Sequence, residues 1–172
     1  MQLNAKRARQ ASQRSLVAFV VGAVRYALEI GIVREIVTPL PLTMLPHTPE
    51  GLAGVADHRA EVLPIIDLRV RFGLDPSLER NKKTKWILVM VGGHTVGLVV
   101  DDVLGVLRVA ESDLRPSPEL GGGERVRGIS FVTMHERALV FVLDVTVFEK
   151  LAEQFDHRSL LAPGPPRDPG GA

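Results

Sequence analysis

Asp57 and His58 are adjacent residues that could form an acid–base pair. A carboxylate that orients a histidine ring would make the imidazole a general base for a nearby nucleophile. Neighbouring residues usually point apart, however, and the candidate nucleophiles Ser130 and Thr133 have no nucleophile-elbow motif around them. A small enzyme that uses Asp57, His58 and Asp67 is therefore kept only as an alternative.

Metal and phosphate sites have little support in the sequence. The five histidines are scattered singly, without the i, i+4 or H-x-H spacing of a metal site: His47, His58, His94, His135 and His157. The pair Asp101-Asp102 would bind Mg²⁺ only with a third carboxylate, and a solvated turn is the better interpretation. The glycines at 121–123 lack the lysine and hydroxyl residue of a phosphate-binding loop. We therefore predict no catalytic residue, no metal and no cofactor.

The composition favours a soluble protein of a reducing compartment. The chain of 172 residues has a formal net charge of +1 and 5% aromatic residues, which argues against a nucleic-acid-binding face. It has no cysteine, which excludes disulfides and thiolate catalysis. A basic leader precedes a short apolar run at Leu16, but Gly22 and Arg25 interrupt that run, so a frayed leader is favoured over a secretory signal. We expect a cytoplasmic location.

The elements around residues 54–74 must position any chemistry in this region. The aliphatic and β-branched run before Asp67 predicts a strand. Pro64 donates no backbone hydrogen bond, so this strand is expected at a sheet edge or with a bulge. Asp67 stands where a helix N-cap would, and Gly73 stands where that helix would end. The turn that carries Arg59 is thus predicted to have a rigid support, which suits docking better than reaction.

The rest of the chain predicts a mainly β protein. Short apolar strands alternate with hairpin turns, of which Gly92-Gly93 is a strong signal. A helical spacing begins at Asp144, near the C-terminus. We expect a basic flexible leader over residues 1–14, one domain of two small β-barrels over 15–155 and a disordered proline- and glycine-rich tail over 156–172. No internal repeat of 20–50 residues is recognisable in the sequence.

The stretch from Gly54 to Leu74 carries the pattern G-V-x-x-x-R-x-x-x-x-P-I-x-D-L-R-x-x-F-G-L. This pattern resembles the signature of the CheW family, the scaffolding proteins of bacterial chemosensory arrays. Further similarities follow in order: the opening hairpin LVAFVVGAVRYALEI, the element Val33–Ile36, the run after Gly92-Gly93 and the run D-L-R-P-S-P-E from Asp113 to Glu119. The resemblance covers nearly all of the predicted domain.

The resemblance implies a fold and a function. The family fold consists of two SH3-like five-stranded β-barrels, here with a C-terminal helix. Family members are not enzymes; they bridge the regulatory domain of the histidine kinase CheA to the cytoplasmic hairpin tip of chemoreceptors, the methyl-accepting chemotaxis proteins. We therefore expect an adaptor in receptor arrays at the inner membrane, with no nucleic-acid partner and no direct membrane insertion.

The resemblance also implies which residues contact the two partners. The family's receptor-facing arginine and acidic residue fall on Arg59 and Glu35, and we expect Asp57 and His58, beside Arg59 in the turn, to bind the receptor as well. The expected kinase-binding residues are Val62, Ile65, Asp67 and Arg69. All of them except Glu35 lie within the Gly54–Leu74 stretch.

The hairpin turn departs from the family pattern. The family turn is commonly N-L-R-G, whereas this sequence has Asp57-His58-Arg59-Ala60. Loss of the glycine removes easy access to a positive φ, and the acid places a negative charge beside the docking arginine. An auxiliary CheW-like regulator that binds only one of the two partners is therefore a further alternative.

Overall fold

The computed structural model describes residues 12–76, 81–117 and 128–155. Residues 1–11 of the predicted leader, the glycines at 121–123 and the predicted tail lie outside these ranges. Within them the protein is mostly β-strand, as predicted, with a short helix near the C-terminus. No helix in the described ranges is long and apolar enough to cross a membrane.

Eleven strands and two short α-helices follow one another along the described chain. The strands are β1 (Gln13–Val21), β2 (Val24–Glu29), β3 (Val33–Val37), β4 (Leu52–His58), β5 (Glu61–Asp67), β6 (Lys85–Val91), β7 (His94–Val100), β8 (Asp102–Ala110), β9 (Arg115–Pro116), β10 (Ile129–His135) and β11 (Ala138–Leu143). The helices are α1 (Leu68–Arg71) and α2 (Glu149–Glu153), and 3-10 turns occupy Ile30–Ile32, Glu111–Asp113 and Val145–Phe148.

The strands form two sheets. The strand order is β8-β1-β2-β11-β10-β9 in sheet A and β3-β6-β7-β5-β4 in sheet B. Sheet B has the predicted five strands, whereas sheet A has six because the two-residue strand β9 pairs with β10 at one edge. Sheet A takes strands from both ends of the described chain and sheet B takes them from the middle. No single chain position therefore separates the two subdomains.

Three clusters of buried side chains stabilise this arrangement. One lies within sheet A and consists of Leu16, Ala27, Val109, Val140 and Val142. A second lies within sheet B around Trp86 and Ile65. The largest joins the two sheets, with Phe19 from β1, Leu98 from β7 and Phe148 from the C-terminal 3-10 turn. Because the apolar faces of both sheets are buried against each other, the subdomains pack as one unit.

The same structural unit occurs once in each sheet. Hairpins β4–β5 and β10–β11 occupy equivalent positions, and in each case the second strand pairs in parallel with its inner neighbour. Gly51 and Gly128 precede these hairpins with positive φ values, and their carbonyls accept the N–H groups of Asp67 and Asp144 at 2.8 and 2.6 Å. Both aspartates then cap the following helical turn. Few residues are identical between the units, which is why the sequence shows no repeat.

The predicted edge position of Pro64 is wrong. Its strand β5 lies between β4 and β7. Val55, opposite Pro64, directs its own N–H and C=O to Thr43, so Pro64 is at a position that does not hydrogen-bond to β4. Pairing of β5 with β7 begins only at Ile65, so the missing N–H costs no hydrogen bond. The register irregularity lies on the partner strand, after Leu52.

Strand β1 begins at Gln13, inside the predicted leader. The side chain of Arg14 fixes this end of the strand, because it contacts Glu29 through Nη1 at 3.0 Å and Glu111 through Nη2 at 2.9 Å. The hydrogen bonds that Arg14 donates to the carboxylates of Glu111, with the larger effect, and Glu29 raise the pKa of Arg14 above its usual value. The guanidinium also lies 5.4 Å from the ring centre of Phe131.

Candidate docking site

Hairpin β4–β5 and α1 form the stretch in which the sequence predicted a strand and a capped helix. Asp67 Oδ1 accepts the N–H of Arg69 at 2.9 Å, which caps α1 as predicted. Gly73 has a φ of +75°, and the N–H of Leu74 donates to the carbonyl of Arg69. This is the hydrogen-bond pattern of a glycine-ended helix. The hairpin therefore lies beside a helical turn whose two ends are both fixed.

The turn of this hairpin consists of Arg59 and Ala60, and both have left-handed backbone conformations. Their φ values are +53° and +64°, as in the two-residue turn that matches the twist of a hairpin. The N–H of Ala60 donates to Asp57 Oδ1 at 3.2 Å. Alanine thus occupies a conformation that glycine would adopt without strain. Loss of the glycine strains the turn but leaves its left-handed form in place.

Glu35 accepts hydrogen bonds from two residues of this hairpin. Its Oε2 lies 3.1 Å from His58 Nε2, and its Oε1 lies 3.1 Å from Arg59 Nη2. We call Glu35, His58 and Arg59 the Glu35 cluster. Three of the four predicted receptor-binding residues are therefore in direct contact. The fourth, Asp57, is exposed and bonds to the turn backbone instead.

The Glu35 cluster joins the two edges of sheet B. Glu35 is on β3 and His58 is on β4, and these strands are at opposite ends of the strand order. A contact between them requires the sheet to roll up, which agrees with the predicted barrel. A second contact across the same seam is made by Arg34 Nη1 and Glu61 Oε2 at 3.5 Å. Arg59, with a side chain 75% exposed, therefore projects from a closed and supported rim.

The acid–base pair of Asp57 and His58 is not formed. His58 directs Nε2 to Glu35, Asp57 accepts the backbone N–H of Ala60, and Asp67 caps α1. The described residues contain no group of three or more His, Cys, Asp or Glu side chains that would hold a metal ion. The side chains of this hairpin instead form charged contacts at the protein surface.

The predicted kinase-binding residues do not share one surface. Ile65 is fully buried, so any effect it has on a partner is indirect. Val62 is half-buried opposite Asp57 on the hairpin. Asp67 and Arg69 lie apart from it, at the wall of a pocket of about 420 Å³. Of the four residues, only Asp67 and Arg69 line the same surface.

The pocket beside α1 is apolar on most of its wall. Its apolar side chains include Leu42, Met44, Val70 and Val99, and the proline-rich segment of residues 39–49, between β3 and β4, contributes Leu42 and Met44. Met44 is 81% exposed at the surface. Methionine is common at surfaces that bind other proteins, because its flexible thioether adapts to different partners. The pocket depends on tertiary contacts, so no local pattern of the sequence indicates it.

Arg69 and Asp101 form a charged contact at the boundary between the two sheets. Arg69 Nη1 lies 2.7 Å from Asp101 Oδ2, and the same oxygen accepts the N–H of Gly22 at 2.7 Å. Gly22 is in the β1–β2 turn of sheet A, whereas Arg69 is on α1 next to sheet B. Asp101, considered from sequence as part of a turn, is therefore a link between subdomains. The sequence has no signal for this contact.

The fold and the site together define a β protein of two subdomains with an arginine-tipped hairpin and an apolar pocket at its surface. A family model described as the CheW-like domain matches residues 15–151. Because that match includes strands of both sheets and most of the chain, the protein belongs to the CheW-like family.

Individual relatives agree with this assignment. The chain is 34% identical over 103 residues to the chemotaxis protein CheW of Helicobacter pylori, a match that covers 60% of this chain and 62% of that relative. It is 30% identical over 151 residues to protein FrzA of Myxococcus xanthus, which covers 86% of this chain and 91% of FrzA. The crystal structure of the scaffolding protein TtCheW from Thermoanaerobacter tengcongensis is similar with a TM-score of 0.69 and 26% identity, covering 76% of this chain and 88% of TtCheW.

Proposed function

We propose that this protein is a non-catalytic adaptor that couples chemoreceptors to the histidine kinase CheA in a bacterial chemosensory array. The observation that carries the proposal is the match of the CheW-like family model across residues 15–151, which includes both subdomains. The tip of hairpin β4–β5 and the pocket beside α1 provide two separate surfaces, both beside sheet B, as coupling of two partners requires. The protein acts at the cytoplasmic side of the inner membrane, where receptor tips and kinase are held in register.

The receptor contact is assigned to the tip of hairpin β4–β5. Arg59 is highly exposed, and its backbone is already held by a tight turn. Binding therefore fixes few additional rotatable backbone bonds, which keeps the loss of conformational entropy small. A guanidinium binds a carboxylate through paired hydrogen bonds, which gives direction as well as attraction. We therefore propose that Arg59 binds the hairpin tip of the receptor. His58 and Asp57 lie beside Arg59, and Glu35 holds its guanidinium from the protein side.

The kinase contact is assigned to the pocket beside α1. Its apolar wall suits an aliphatic or aromatic side chain from the regulatory domain of CheA, and such anchors dominate the energy of protein interfaces. Asp67 and Arg69 at its wall fix α1 and supply polar atoms near the rim. Ile65 supports β5 from the core, and Val62 lies on the face between the pocket and the tip.

An auxiliary regulator that binds only one partner is the second candidate. The observation that favours it is the exposed carboxylate of Asp57, two residues from Arg59 at the same tip. A carboxylate there repels an acidic partner, which would weaken receptor binding without affecting the kinase surface. Such a protein would bind CheA and compete with a full adaptor for it.

Copurification from the native cell separates these functions. The tagged full-length protein, isolated after mild crosslinking, is expected to recover both CheA and chemoreceptors. Recovery of CheA without receptors would favour the auxiliary regulator. Recovery of neither would contradict the proposed function.

A further inference from the structure

The Glu35 cluster contains one histidine, His58, and histidine is the side-chain type whose charge can change near physiological pH. Its side chain is only 17% exposed, whereas that of Arg59 is 75% exposed. The histidine ring and the guanidinium contact different oxygens of the same carboxylate. The better-buried His58 thus fixes Glu35, and Glu35 in turn contacts the more exposed Arg59.

We propose that His58 is a positioning residue that controls, through Glu35, how freely Arg59 binds a carboxylate on the partner, and that this makes docking proton-dependent. The inference rests on the proposed function, because the partner carboxylate is taken to belong to the receptor tip. His58 itself need not touch the partner.

The direction of the effect follows from the charges of the cluster. With neutral His58, the negative charge of Glu35 is balanced by Arg59 alone, and the pair retains the guanidinium at the protein surface. With protonated His58, two cations share one carboxylate, so Glu35 attracts Arg59 less strongly. The cluster also changes from neutral to a net charge of +1. Both changes favour binding of Arg59 to an external carboxylate as the pH falls.

The other charged groups that face His58 are already engaged. Glu61 lies directly opposite it on β5, and its Oε2 contacts Arg34 of β3 at 3.5 Å. Asp57, on the same strand as His58, accepts a backbone N–H of the turn. Glu35 is therefore the carboxylate in hydrogen-bond contact with the His58 ring, and it is the one that links His58 to Arg59.

The test measures binding of the full-length protein to the cytoplasmic hairpin fragment of a chemoreceptor from the same organism, at pH values above and below the histidine range. For the wild-type protein we expect an affinity about fivefold higher at the lower pH, the low end of typical site coupling, because the cluster is partly solvated. His58→Gln retains a hydrogen-bond donor but does not titrate, so its affinity should lose the pH dependence that the wild type shows.

The chain offers a matched control in His135. It precedes the left-handed turn of hairpin β10–β11, as His58 precedes that of β4–β5, and it too lies near a glutamate, with Nε2 3.8 Å from Glu136. His135→Gln should keep the wild-type pH profile. An unchanged profile in His58→Gln, or a lost one in His135→Gln, would overturn the proposal.

A measurement without the receptor keeps this inference separate from the proposed function. In the free protein, the NMR resonance of the Arg59 side chain should shift with the titration of His58, and Glu35→Gln should abolish that shift. No receptor binding at any pH, with this coupling intact, would count against the proposed partner but not against the positioning role. An Arg59 side-chain resonance whose chemical shift does not change as His58 is protonated would refute the positioning role.

Discussion

Replacing Asp101 with alanine should weaken the link between the two subdomains. Asp101 Oδ2 accepts hydrogen bonds from Gly22 N–H and from Arg69 Nη1, each at 2.7 Å. The side chains of Asp101 and Arg69 are 22% and 24% exposed, so solvent screens their pairing only in part. Asp101→Ala removes both bonds and leaves the Arg69 guanidinium without its carboxylate.

The magnitude follows from these two contacts. A hydrogen bond to a charged group contributes about 1.5–3 kcal/mol, and two bonds to one partly exposed oxygen are not additive, so we expect a loss of about 3 kcal/mol. For a chain of this length that loss lowers the melting temperature by about 6–12 °C. Urea unfolding monitored through the fluorescence of the buried Trp86 would measure it.

The neighbouring aspartate provides the control for this experiment. Asp102 makes a looser contact, 3.7 Å from Lys83 Nζ, and that lysine side chain is 75% exposed. Asp102→Ala should therefore change stability by about 0.5 kcal/mol or less. Equal stabilities of the Asp101 and Asp102 variants would refute the inter-subdomain link.

Two further stability predictions follow from the backbone. Ala60→Gly relieves the strain of an alanine at φ +64° and should stabilise the protein by about 0.5–1 kcal/mol in urea unfolding. Ala138→Gly, within β11, should destabilise it by a similar amount. A lower free energy of unfolding in both variants would mean that the β4–β5 turn is not left-handed. Gly54→Ala would place a Cβ in steric conflict with the carbonyl oxygen of Thr43 and should cost about 3 kcal/mol or more. Gly73→Ala meets no atom within 4 Å and should cost only the φ strain of about 1 kcal/mol, so equal melting temperatures for these two variants would contradict the close approach at Gly54.

Local features of the chain were predictable because their causes are local. The cap at Asp67 and the glycine end at Gly73 each depend on residues within one turn of helix, and the structure confirms both. The hairpins and the C-terminal helical turn capped by Asp144 were predictable in the same way, from the spacing of apolar residues and from the residue types in the turns. The resemblance then related these elements to a known fold.

Features that depend on sheet order were not predictable from residue types. Pro64 was expected at a sheet edge or with a bulge, but it is tolerated inside the sheet because the β5–β7 pairing begins only at Ile65, which no local pattern encodes. The contact of Glu35 with His58 likewise requires the two edges of sheet B to meet. The resemblance named Glu35, and His58 was predicted as a neighbour of Arg59, but nothing in the sequence indicated that Glu35 and His58 share a hydrogen bond.

The internal repeat shows a similar limit. The units that begin at Gly51 and Gly128 have the same backbone hydrogen bond and the same capped turn. Packing requires only apolar residues at alternate positions, so the two units have diverged almost everywhere else. Both retain the glycine with positive φ and the capping aspartate, whose roles depend on their chemical type. They also share a valine, Val55 and Val132, and a histidine before the turn, His58 and His135.

The most direct test of the central claim is the affinity of Arg59→Glu for the two partners, the chemoreceptor hairpin fragment and the regulatory domain of CheA. Loss of a hydrogen bond to a charged group, about 1.5–3 kcal/mol, should weaken receptor binding about tenfold or more. Binding to CheA should be unchanged, and Arg137→Glu, in the equivalent turn of β10–β11, should leave receptor binding as in the wild type. Receptor binding by Arg59→Glu at wild-type affinity would contradict the account.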